Sequence, residues 1–78
     1  MDVNSEQLII DLLDEVVDLQ QSKVRELARR IVPTATDEDL LNPHDLSELN
    51  ENMHFNYEDG YLNGLISVRI AILALSKR

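Results

Sequence analysis

Seventy-eight residues make a single domain near the lower limit for a self-sufficient core, and without cysteine that core has no disulfide or thiolate-bound metal to staple it. Fifteen acids against seven bases give a formal charge of −8, which repels phosphate backbones and anionic lipid and so excludes nucleic acid and membrane as expected partners. The apolar fraction of 44% is that of an ordered globular chain, and two glycines and two prolines favour helices over a turn-rich sheet.

The chain starts acidic, where a secretory signal needs a basic start. The apolar run near its end is broken by Asn63, Ser67 and Arg69 and is shorter than the ~20 residues that cross a bilayer. A cytoplasmic location is expected, and the absence of cysteine fits a reducing compartment. An acidic surface also suits a basic protein partner, although its simplest role is solubility.

In chain order, Asn4 reads as a helix cap with Gln7 three residues on, and Val3 and Leu8 stand at the staple positions around it. A helix over about 5–31 follows from the helical spacing of Leu8, Ile9, Leu12, Leu13, Val16, Val17, Leu19, Val24, Leu27 and Ile31. Asp11, Asp14, Glu15 and Asp18 fill its first half, and Lys23, Arg25, Arg29 and Arg30 its second. That polarity would let two copies pair antiparallel with acids facing bases. Gln20 and Gln21 interrupt the apolar face and are read as its solvated edge rather than as a buried polar layer that fixes register. Pro33 ends the helix by pushing the preceding residue out of the α region.

The segment from Pro33 to Phe55 is the least regular. Thr36-Asp37-Glu38-Asp39 reads as a cap before a short turn at about 37–41. Asn42-Pro43 reads as a second cap, with proline at the first position of a short helix at about 43–50. Asn50 to Phe55 is expected to be a loop with Met53 and Phe55 as two apolar anchors. Asn56 is then the cap of a last helix over about 57–76, with Glu58 and Asp59 in its first turn and Lys77 and Arg78 at its end.

That last helix is apolar on more than one face. Tyr61, Leu65, Val68, Ile72 and Leu75 form one stripe, and Gly60, Gly64, Ser67, Ala71 and Ala74 a second made of small residues. A surface helix has one apolar stripe and a charged back, so this one calls for cover on most sides. The two glycines cost about 1 kcal/mol each inside a helix, which another backbone coming close, or Tyr57, Met53 or Phe55 folding back, would justify. Arg69, set among aliphatic residues, needs an acid of the first helix or a place at an interface. Tyr57 and Tyr61 are assigned to the edge of the core, where the ring is buried and the hydroxyl stays wet.

Chemistry has little to work with. His44 and Glu48 share a helix face, and Glu51 and His54 have the E-x-x-H spacing of bundle di-iron sites, which need two such pairs and two further glutamates. These four are the candidate metal ligands. No serine has a patterned base, no phosphate loop exists, and the i,i+4 carboxylates lie on a solvated face. No cofactor and no catalytic residue are therefore assigned.

The expected fold is all-α: two long antiparallel helices with one or two short helices between them, completing a four-helix core by dimerisation. The expected function is a small acidic helical protein–protein interaction module, an adaptor or regulator without catalysis. Gly60, Gly64, Ser67, Arg69, Ala71 and Ala74 form its interface, a homodimer its main assembly, and a basic protein a further partner. The alternatives are a metal-binding protein or enzyme using the middle segment, and an acidic mimic that occupies a basic protein.

Overall fold

A computed structural model describes residues 3–77, apart from the side chain of Val3. Helix α1 runs Val3–Ile31 and helix α3 runs Met53–Ser76. Between them lie two single-turn 3₁₀ segments, Asp39–Leu41 and Pro43–Asp45, and the one-turn helix α2, Ser47–Asn50. The described residues are all helix, turn and loop, with no strand.

The two long helices are antiparallel neighbours. Gln20 meets Glu58 and Asp14 meets Arg69, so positions rise along one helix as they fall along the other. The seam on α1 repeats at alternating spacings of three and four: Ile10, Leu13, Val17, Gln20, Val24, Leu27, Ile31. The matching seam on α3 is Phe55, Glu58, Leu62, Leu65, Arg69, Ile72. This alternation keeps one stripe facing a partner helix at a shallow crossing.

The core sits at the loop end of this hairpin. Val24, Leu27 and Ala28 of α1 close on Leu49 of α2 and on Phe55 and Leu62 of α3, with Leu40 and Leu46 packed over them. Phe55 and Leu49 are completely enclosed. Here the connecting segment supplies the third wall that a two-helix hairpin lacks. Towards the other end the described residues include no third element, and they span 46 Å in length but 17 Å in thickness.

Several boundaries differ from the sequence reading. Asn4 lies inside α1, which already begins at Val3, so it is not the cap. The last helix starts four residues earlier than expected. Its cap is Asn52, whose side chain accepts from the Phe55 amide at 2.8 Å, while Asn56 donates its side-chain amide back to the Asn50 carbonyl. Met53 and Phe55 are therefore helical, and they separate: Phe55 is fully buried and Met53 is 87% exposed. The short helix expected at 43–50 is split at Leu46, which is extended, and the break lets both Leu46 and Leu49 reach the core. The turn at Asp39 is held as read, by a reciprocal pair of bonds between Thr36 and Asp39 of 3.0 and 3.1 Å.

Candidate interaction surface

The hairpin has two sides, and its clefts tell them apart. On one side Gln21 and Arg25 of α1 and Asp59 and Asn63 of α3 line a cleft with Leu40, Leu41, Pro43 and His44 of the connecting segment. On the other side Gln20 and Lys23 share a cleft with Tyr57, Glu58 and Tyr61. The connecting segment covers the first side only.

Helical spacing carries the second side along the molecule. Seven- and four-residue steps back from Lys23 reach Leu19, Val16, Leu12 and Ile9, and Leu8 lies beside them. Seven-residue steps on from Tyr61 reach Val68 and Leu75. Leu8, Leu12, Leu19, Tyr57, Tyr61, Val68 and Leu75 each leave half or more of their surface in water, up to 72% for Leu19. In a chain that is 28% charged, α3 adds no charge to this face beyond Glu58, while on α1 Glu15 borders it and Lys23 and Glu26 lie at its loop end. Scattered exposed leucines are ordinary, but seven large apolar residues exposed on one side of a hairpin are not.

The small-residue stripe lies beside this face. Gly60, Gly64, Ser67, Ala71 and Ala74 are all exposed. A Cβ at Gly60 or Gly64 would meet nothing within 4 Å, so within one chain neither close helix packing nor a folded-back aromatic explains the glycines. Arg69, expected at the same interface, instead lies on the seam between the helices and pairs with Asp14 of α1, the arrangement that its aliphatic surroundings demand. Tyr57 and Tyr61 do not close the core edge; they stand largely in water.

At the loop end of the same face is a polar cluster that the sequence reading divided wrongly. Gln20 is buried, not a solvated edge. Its amide donates to the Glu58 carboxylate at 2.7 Å and to the Glu58 carbonyl at 3.0 Å. Lys23 approaches the same carboxylate at 3.2 Å and His54 at 3.9 Å. The hydrogen bond from Gln20 holds the Glu58 carboxyl below the usual carboxylate range; burial opposes this, and Lys23 reinforces it. The signal was present in the register, because Gln20 and Glu58 each occupy a seam position on their helix.

No family model, curated protein or solved structure matches this chain. Its function must therefore be argued from its own surfaces.

The four candidate metal ligands are not brought together. His44 faces Asp59 through Nε2 at 3.0 Å and the Asn50 side-chain oxygen through Nδ1 at 3.1 Å. Its ring stands edge-on to Phe55 with centres 6.0 Å apart. Two acceptors at the two ring nitrogens suit the doubly protonated ring. The Asp59 bond raises the His44 pKa above 6.5, partial burial opposes it, and Asn50 adds to the rise. Glu48 and Glu51 are exposed, and His54 turns towards Glu58. Among the described residues no group of three or more His, Asp or Glu side chains is placed to hold a metal ion. Nor is any described helix long and apolar enough to cross a membrane.

Proposed function

We propose that this chain is a small acidic helical interaction module without catalytic chemistry, working as a homodimer with a four-helix core in a reducing, cytoplasmic setting. The observation that carries the reading is the uncovered apolar face of the hairpin. Its seven most exposed large residues would remove roughly 70 Å² each on burial, on the order of 500 Å² together. That is most of the ~800 Å² that each partner contributes to a standard interface. A second hairpin laid on this face supplies the wall that the connecting segment supplies at the loop end.

The dimer reading has a direct thermodynamic consequence. A folded state stabilised by association melts at a temperature that rises with protein concentration. The expected result is a melting temperature that climbs steadily over a hundredfold concentration range. A constant one over that range refutes the reading.

A second reading, docking of a basic protein, is favoured by the exposed acids Asp37, Glu38, Asp45, Glu48 and Glu51 gathered on the connecting segment. It predicts binding that weakens steeply with salt, and salt-independent binding would dismiss it.

A further inference from the structure

The distribution of charge says which molecule covers the apolar face and which way it lies. From Gly60 to Ser76, α3 carries one charge, Arg69, which Asp14 already neutralises. Of the exposed acids of α1, Asp11 and Asp18 stand in helical register with Arg25, on the opposite side of the hairpin, while Glu15 and Glu26 border the face, seven residues from Leu8 and Leu19. A basic partner docking on α3 from Gly60 to Ser76 would find no acid to read. A second chain of the same −8 charge meets little repulsion here.

The acids are also segregated along the axis. Eight of the fifteen lie between Asp37 and Asp59, at the loop end. A parallel dimer would set two such ends side by side, within the ~8 Å over which charges act at physiological salt. An antiparallel dimer holds them apart by most of the 46 Å length of the molecule.

Resting on the self-association proposed above, we infer that the second copy docks antiparallel, with α3 against α3 about a two-fold axis at Val68. Val68 is the midpoint of the exposed row Tyr61, Val68, Leu75, so this axis lays Val68 on its own counterpart and Tyr61 on Leu75 of the other copy. The Asp14–Arg69 and Gln20–Glu58 pairs put Leu12 at nearly the same level, so the apolar stretch of α1 is centred on the same axis. The dimer then presents two identical acidic ends pointing in opposite directions.

A cysteine-free chain allows a direct test by single-cysteine cross-linking with a short bis-maleimide. All three positions are exposed, so the substitutions leave the fold intact. Val68→Cys should cross-link to itself. Tyr61→Cys and Leu75→Cys should each fail alone, because like residues lie about 21 Å apart along the axis at ~1.5 Å per residue. An equal mixture of Tyr61→Cys and Leu75→Cys should couple. If Tyr61→Cys and Leu75→Cys each cross-link to themselves and the mixture gains nothing, the copies are parallel; the orientation fails and self-association stands. If none cross-links and the mass is that of one chain, the underlying reading fails with it.

Discussion

Met53 and Phe55 look equivalent in the sequence, two apolar residues in a polar stretch, and the structure makes them opposites. Phe55 is fully enclosed by Val24, Leu27, Ala28, Leu49 and Leu62, while Met53 is 87% exposed on the first turn of α3. Phe55→Ala removes a ring from a filled site, and such truncations cost about 3–5 kcal/mol in lost transfer energy and residual cavity. A domain of this size is stable by roughly 4–12 kcal/mol, so the change removes a large part of the total. At an unfolding entropy of ~2.1 cal/mol/K per residue, the melting temperature should fall by about 20–30 °C. Met53→Ala removes no packing and substitutes a slightly better helix former, so it should stay within ~0.5 kcal/mol of the parent. The assay is thermal and denaturant unfolding followed by far-ultraviolet circular dichroism, with all variants at one concentration. Equal costs at the two positions would refute the account, since they would mean that the chain enters α3 later than Asn52 with both residues anchoring a loop.

Further consequences can be measured on the same material. Asn52→Ala should cost about 1 kcal/mol by denaturant unfolding, because it leaves the Phe55 amide without its acceptor. Asn56→Ala should stay within ~0.5 kcal/mol, its lost bond to Asn50 offset by the better helix propensity of alanine; the reverse ranking would restore Asn56 as the cap. The His44 pKa is raised in the folded state, so its ion pair with Asp59 stabilises fully below pH 6.5 and is lost as pH rises through the folded value. The parent should therefore lose stability above pH 6.5 relative to His44→Gln, and superimposable pH profiles would remove His44 from the account. The Glu58 carboxyl is shifted the other way, so its contribution is present above pH 4.5 and disappears as pH falls through the lower folded value. Val68→Glu, at a half-exposed position on the apolar face, should leave the helical content unchanged and convert the dimer to monomer; a variant that remains dimeric would move the interface off this face.

What the sequence made legible was periodicity. The two long helices, the stop at Pro33 and the Thr36–Asp39 turn follow from spacing and from residue types with strong local preferences. The entry to α3 did not, because Asn50, Asn52 and Asn56 are chemically identical candidates for one cap. The choice among them depends on where Phe55 must point to fill the space beneath Leu49. Gln20 was misread for a related reason. Beside Gln21 it looks like a gap in an apolar stripe, yet the two residues are 100° apart on the helix, and only Gln20 faces Glu58. Arg69 needed an acid on the first helix, and the antiparallel register decided that it was Asp14. The exposed apolar face was half visible. The unusual apolarity of α3 was plain, but the small-residue stripe drew attention from Tyr61, Val68 and Leu75, and from the side of α1 that shares their face. That sidedness depends on where the connecting segment lies, which no local pattern encodes.

The account rests on the uncovered face of the hairpin being closed by a second copy. The most direct test is the solution mass, measured by light scattering on a size-exclusion column from low to high micromolar concentration. The account predicts twice the 8.9 kDa chain mass at the upper concentrations, with dissociation, if any, only on dilution. A single-chain mass at every concentration, together with a cooperative melt, would contradict it, because the hairpin would then be stable with its apolar face in water.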